Sequence, residues 1–272
     1  AIAEAVKRSK VSKEEIDDVI IGAAGQQGSQ QGNIARQSLL RAGLPVSVAG
    51  MSLDRQCASG MMAIATAAKE ITEDGMTITV GGGVESVSLV RNENFRMDRA
   101  RDPWLEENIP SLYMTMIETA ENVAKRYGIS RESQDEYSLQ SQMRTAKAQQ
   151  NGYMDKEIVP LKSTMKYKDK ETGEISSHDV CIEKDEGNRP STTLEGLSAL
   201  KPVFKDGIYL KEGEYITAGN ASQLSDGASA SVLMEAREAE KRNLSPLGVY
   251  RGIAVAGSVS YTHLTLPTSR SV

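Results

Sequence analysis

The constraint that most narrows the fold of this chain is an alternation of two apolar periods along its first third. Asp18-Val-Ile-Ile-Gly22 is a short apolar run closed by glycine, the pattern of a strand buried on both faces. A polar, glycine-punctuated loop, Gly25-Gln-Gln-Gly28-Ser-Gln-Gln-Gly32, leads to a helix over residues 33–41 that Gly43 and Pro45 bring to an end. Residues 46–53 then read as a strand, 58–71 as a helix and 77–80 as a third strand. Upstream, Ile2, Ala5 and Val6 share one helical face and mark residues 1–9 as the tail of a helix. Alternation of this kind implies a layered α/β sheet.

From Val90 the texture changes. Residues 91–115 are irregular and polar, with Pro103 and Pro110, and a helical pair follows over 119–127 and 133–150. Ser130 is placed to cap the second helix and Asn151-Gly152 to close it. Lys162, Lys166, Lys168 and Lys170 mark residues 162–185 as a surface loop or small hairpin with a solvated face. Strand pattern returns at 228–234, helix at 235–242, and 247–256 reads as the start of another strand. The expected organisation is a core over 1–89, an insertion over 90–224, a return to the core over 225–245 and the start of a further half over 246–257. Residues 258–272 have no period and are set apart from the fold.

Composition excludes several function classes. A net charge of −5 without a basic stripe disfavours nucleic acid as a partner. No apolar run approaches the roughly 20 residues of a membrane span, and Glu4, Lys7, Arg8 and Lys10 are foreign to a signal peptide. Cys57 and Cys181 form neither a disulfide framework nor a metal site, which points to a reducing compartment, the cytoplasm. The runs Gly81-Gly-Gly and Gly25-x-x-Gly28 fit neither G-x-G-x-x-G nor a P-loop, and read as turns where backbone approaches backbone.

The stretch that carries chemistry is Asp54-Arg-Gln-Cys57-Ala-Ser-Gly60. It sits where a strand ends and a helix starts, beside free backbone N–H groups and the positive end of the helix dipole, which favour a negative charge. Small neighbours keep the approach to sulfur open. Corner geometry alone leaves two readings, a nucleophile or a small core residue. Cys181, in Asp179-Val-Cys-Ile-Glu183, reads as a strand-core residue.

The same stretch resembles the nucleophile motif of the thiolases, and five further blocks agree in order. They are Gly28-Ser-Gln-Gln-Gly32-Asn-Ile-Ala-Arg36, Gly81-Gly-Gly-Val-Glu85-Ser86, Thr119-Ala-Glu-Asn-Val-Ala124, Asp185-Glu-Gly-Asn-Arg189-Pro-Ser-Thr-Thr193-Leu-Glu-Gly196 and Thr217-Ala-Gly-Asn-Ala-Ser222-Gln-Leu-Ser-Asp-Gly-Ala228. The resemblance covers residues 1–257. It implies an α/β protein with a thiolase-like layered α/β/α first half, an inserted loop domain, and a second half largely missing, so that the chain is expected to be truncated at both ends.

The resemblance also implies acyl transfer between 3-ketoacyl-CoA and CoA through an acyl thioester on Cys57, with no metal or redox cofactor. Coenzyme A is then a substrate rather than a resident group. Arg189, Thr193 and Gly196 would meet its nucleotide end, while Ala218, Gly219, Ser222 and Met116 would line the pantetheine channel. The intact parent would be a homodimer or homotetramer. Met114-Thr-Met-Ile-Glu118 lacks the histidine that acetoacetyl-specific members often place there, which leans toward the degradative 3-ketoacyl-CoA thiolases of fatty acid β-oxidation. Thiolases draw an activating histidine, a second cysteine and an asparagine from the second half. His178, in a charged loop, and His263, in the excluded tail, do not replace them, so the chain alone is expected to be inactive. The alternative is a non-catalytic CoA-binding or dimerisation fragment. A condensing ketosynthase is disfavoured by the inserted loop with Thr217 and Ser222.

Overall fold

A computed structural model describes residues 1–257. In chain order the elements are α1 (Ile2–Ser9), β1 (Asp18–Gly22), α2 (Ile34–Arg41), β2 (Ala49–Leu53), α3 (Ser59–Glu73), β3 (Ile78–Glu85) and α4 (Val87–Val90). They continue with α5 (Pro103–Asn108), α6 (Met116–Tyr127), α7 (Arg131–Gln150), β4 (Leu161–Lys168), β5 (Ile175–Ile182), α8 (Leu194–Ser198), β6 (Gly227–Met234) and α9 (Ala236–Lys241). The chain divides into two compact units, one of Ala1–Met97 with Leu224–Val255, the other containing Asp98–Gln223.

In the first unit a four-stranded sheet has the order β2-β1-β3-β6. β2 and β3 run parallel to β1, while β6 runs antiparallel to β3. All five residues of β1 are buried because this strand has neighbours on both edges and helices on both faces. Its alternation divides the core. Val19 and Ile21 join Val6, Leu39, Ile78 and Val80 on the face covered by α1 and α2, while Ile20 meets Ala63 and Ala67 of α3 on the other. The layered α/β architecture inferred from apolar periods is therefore present, with one helix layer on each side of the sheet.

Close packing of α3 on the sheet depends on small residues. Ala63, Ala65, Ala67 and Ala68 are buried, and the buried Thr79 hydroxyl donates to Ala67 O at 2.9 Å. A Cβ on Gly81 would lie 2.6 Å from Ile64 Cα, and one on Gly82 would lie 2.2 Å from Ser229 O. The glycine run thus belongs inside β3 rather than in a turn, which corrects the sequence reading. Backbone does approach backbone there, but from α3 to the sheet at Gly81 and between β3 and β6 at Gly82, not around a bend.

Other expectations are also revised. β2 starts at Ala49 because residues after Pro45 form a turn, with Val48 N donating to Pro45 O at 3.1 Å. Residues 91–115 include the short helix α5, whose N-terminus Asp102 caps by accepting from Leu105 N at 3.0 Å. The strand expected over 247–256 is absent among the described residues, where no neighbouring strand offers it a hydrogen-bond ladder.

In the second unit, α6 and α7 form a helical pair. Thr115 caps α6, Gly128 ends it in the left-handed conformation at φ 64°, and Ser130 caps α7. β4 and β5 make an antiparallel hairpin with almost every residue exposed. Cys181 lies on this hairpin opposite Lys162 and is exposed, so it is a strand residue but not a core one. An isolated two-stranded ribbon has no second layer to bury it.

Candidate functional site

Cys57 lies in the loop between β2 and α3, at the C-terminal edge of the three parallel strands, where ligands collect in open α/β sheets. Three glycines seat the start of α3 against that edge. A Cβ on Gly22, at the end of β1, would fall 2.2 Å from the Ser59 carbonyl carbon and oxygen, and one on Gly83 would fall 3.1 Å from Gly60 Cα. Helix backbone therefore rests directly on strand backbone, and the residues just before it are held at the sheet edge.

The loop is built from short-range bonds. Asp54 Oδ1 accepts from Gln56 N at 2.6 Å, and Ala58 N donates to Arg55 O at 3.1 Å. Gln56 stands at φ 48°, in the left-handed region that side chains seldom adopt. Ser59, buried at the first position of α3, accepts from Arg55 N at 2.8 Å and donates its hydroxyl to Gln56 O at 2.6 Å. Cys57 itself is exposed, and among the described residues its N–H meets no acceptor. The corner exposes Cys57, beside a backbone donor that no acceptor takes among the described residues.

Around this corner, carboxylates and amides brace the neighbouring loops. Glu85, the last residue of β3, accepts from Ala24 N at 2.9 Å and from Gln30 Nε2 at 2.8 Å. Gln30 is buried, also donates to Gly25 O at 2.8 Å, and accepts from Ser86 N. Asp226 accepts from Ser86 Oγ and Ser88 N, both at 3.0 Å, and from Ser88 Oγ. These bonds, led by that from Ser88, hold the Asp226 carboxyl below its ordinary range. Gln30 and Glu85 lie in motif blocks, yet their structural roles depend on partners up to 61 residues away.

The remaining candidate residues belong to the second unit. Thr193 caps α8 by accepting from Gly196 N at 3.1 Å, and the Thr217-Ala218-Gly219-Asn220 turn packs against that helix. A Cβ on Gly219 would lie 2.6 Å from Leu197 Cδ2 and 2.5 Å from Leu200 Cδ1. Thr193, Gly196, Ala218 and Gly219 are thereby gathered around α8. Arg189 is exposed, its backbone N donating to Gln142 Oε1 at 2.8 Å. Ser222 is exposed, with its hydroxyl donating to Gln223 O at 3.3 Å, and Met116 is exposed at the start of α6.

Three buried carboxylates that sequence reasoning passed over hold these loops. Glu118 accepts from Ile208 N, Tyr209 N and Leu210 N at 2.9, 2.5 and 3.0 Å. Burial raises the Glu118 pKa, but the three N–H bonds and Lys211 outweigh it and leave the carboxyl below its ordinary range. Glu121 accepts from Glu214 N, Tyr215 N and Ile216 N at 2.9, 3.1 and 2.7 Å. Asp135 pairs with Arg131 at 2.9 Å and accepts from Asn220 Nδ2 at 3.0 Å, while Arg131 donates to Leu197 O and Leu200 O. For Glu118 and Glu121 the available signal was a pair of carboxylates three apart on one face of α6, and for Asp135 it was the arginine four residues before it on α7.

A layered α/β unit with an exposed cysteine at a strand-to-helix corner defines a class of proteins that present a thiol at the sheet edge. The family model described as "Thiolase, N-terminal domain" matches residues 1–237, and the chain belongs to the thiolase family, a family of acyltransferase enzymes. It is 39% identical over 259 residues to the 3-ketoacyl-CoA thiolase of Bacillus subtilis (strain 168), covering 94% of this chain and 63% of that protein. It is 38% identical to the peroxisomal 3-ketoacyl-CoA thiolase of Homo sapiens, covering 93% of this chain and 56% of the relative. A crystal structure of the Bacillus anthracis acetyl-CoA acetyltransferase matches with a TM-score of 0.69 at 38% identity, covering 90% of this chain and 60% of that one. The chain thus spans about three fifths of the length of these relatives. No helix among the described residues is long and apolar enough to cross a membrane.

Proposed function

We propose that this chain is the acyl-carrying part of a thiolase that exchanges an acyl group between a 3-ketoacyl-CoA and CoA. The Cys57 thiolate attacks the keto carbon, the bond between C2 and C3 breaks, and the acetyl-CoA fragment leaves after taking up a proton. A CoA thiol then attacks the Cys57 thioester, its sulfur replacing that of Cys57 on the acyl carbon. The observation that carries this reading is the exposed Cys57 with an unengaged N–H beside it, at the C-terminal edge of the parallel strands. That N–H can donate to the oxygen on which charge develops.

Coenzyme A is the substrate, with no permanently bound cofactor. Arg189, Thr193 and Gly196 are assigned to its nucleotide end, and Ala218, Gly219, Ser222 and Met116 to its pantetheine arm. An exposed guanidinium suits a phosphate or adenine, and small residues suit a narrow arm. On family likeness the full-length parent is a homodimer or homotetramer, and two free thiols suit the cytoplasm. The degradative, β-oxidation assignment rests on the stretch preceding Thr119 and on relatives named 3-ketoacyl-CoA thiolase.

The chain by itself does not turn over a 3-ketoacyl-CoA, and acylation of Cys57 is the measure of the competence it keeps. Among the described residues the one histidine is His178, on the exposed hairpin with Nε2 3.0 Å from Ser176 Oγ, and no residue is assigned as the base. Losing a general base costs about 10²–10⁴-fold. The test is intact-mass measurement after incubation with a 3-ketoacyl-CoA. One acyl group is expected on the wild type and on Cys181→Ser, none on Cys57→Ser, and no CoA-dependent release of product. Acylation of Cys57→Ser, or sustained turnover by the wild type, would overturn the respective halves of this reading.

A further inference from the structure

We infer that Ser59 is a positioning residue for acyl transfer, acting through the peptide that joins Gln56 to Cys57. This rests on the reading of Cys57 as the acyl carrier and adds a separate claim about what aims the donor beside it.

The Gln56 carbonyl and the Cys57 N–H belong to one planar trans peptide and point in opposite directions across it. Whatever holds the carbonyl therefore sets the direction of the N–H. Ser59 holds it twice, by its backbone N at 3.0 Å and its hydroxyl at 2.6 Å. The same hydroxyl oxygen accepts from Arg55 N at 2.8 Å, which ties both sides of Gln56 to one buried atom. Asp54 Oδ1 takes the Gln56 N–H at 2.6 Å. These contacts keep Gln56 at φ 48°, a conformation a glutamine leaves readily when its peptides are released. Without the Ser59 hydroxyl the Gln56 carbonyl keeps only the Ser59 N–H, so the Gln56–Cys57 peptide is held by one bond instead of two and the Cys57 N–H is less firmly aimed.

The consequence is specific to reactions that build negative charge on oxygen. When Cys57 attacks a thioester, the Cys57 sulfur–carbon bond forms and an oxyanion develops. The bond from the acyl carbon to the CoA sulfur then breaks, and CoA leaves with that electron pair and takes up the proton the Cys57 thiol released. Alkylation by iodoacetamide displaces iodide from carbon and builds no such oxyanion. An aimed N–H accelerates the first reaction and is indifferent to the second.

The test uses the full chain carrying Cys181→Ser, with acetyl-CoA as acyl donor and iodoacetamide as the control reagent, both followed by intact mass. Ser59→Ala should acylate about 10–100-fold more slowly with alkylation within about twofold, and Ser59→Thr should restore acylation. Asp54→Asn, an exposed change at the second clamp, should slow acylation about two- to fivefold in the same sense, which serves if Ser59→Ala does not fold. Equal slowing of both reactions would mean a merely structural role and would overturn the proposal, as would unchanged acylation in Ser59→Ala and Asp54→Asn while the wild type acylates. A wild type that alkylates but never acylates would instead overturn the acyl-carrier reading and the proposal with it.

Discussion

Glu70, on α3, is a carboxylate in an unfavourable place. Its Oε2 is buried and has no hydrogen-bond partner. Burial, then the nearby Asp18 and Asp74, push its pKa from 4.5 up to about 7. Asp18 is raised as well, by burial first and by Asp17, against the Val19 N–H that lowers it. The folded state therefore binds a proton on Glu70 that the unfolded chain has released, so stability falls as pH rises through the window between about 4.5 and 7. Glu70→Gln removes that penalty. It should raise the unfolding free energy by about 1–3 kcal/mol near pH 8 and change it little near pH 4. Urea midpoints at the two pH values decide this, and an equal gain at both would assign the effect to packing. A single carboxylate with this behaviour was invisible in sequence, because its neighbour Asp18 lies on another element.

Among the elements, α3 matters most because it ends the loop that presents Cys57. Helical spacing in the sequence located it, and the corner motif located the cysteine. The closeness of its seat was not legible, since it depends on Gly22, Gly81 and Gly83 from two strands. A glycine run seen alone suits a turn as well as a crowded strand. Gly22→Ala would drive a Cβ into Ser59 and Gly60 backbone, which cannot rotate aside as a side chain can. It should cost about 1–3 kcal/mol and slow acylation of Cys57 by shifting the corner. Gly227→Ala, with nothing within 4 Å of the added carbon, is the control and should stay within about 0.5 kcal/mol. Unfolding followed by circular dichroism separates the two, and equal stability would refute the seating role of Gly22.

At the scale of the molecule, local stability should follow the ladder of strand pairing. β1 is buried and paired on both edges, whereas beyond Leu244, whose N–H donates to Ala239 O at 2.9 Å, no backbone hydrogen bond is made among the described residues. Amides of residues 246–255 should exchange with solvent about a thousandfold or more faster than those of β1. Protection over 246–255 comparable to β1 would show that this stretch has a partner. The apolar run there has the hydropathy of a strand, but a strand is a relation between two segments. The sequence by itself determined what depends on near neighbours: the alternation of strands and helices, their caps, and a cysteine at a corner between β2 and α3. Tertiary structure alone decided what depends on distant ones. It placed the glycines inside β3, left Cys181 on an open ribbon, and gave Glu118 and Glu121 backbone donors 90 or more residues away. Periodicity records which face of an element is apolar, while the partner that meets that face is chosen only when the chain closes on itself.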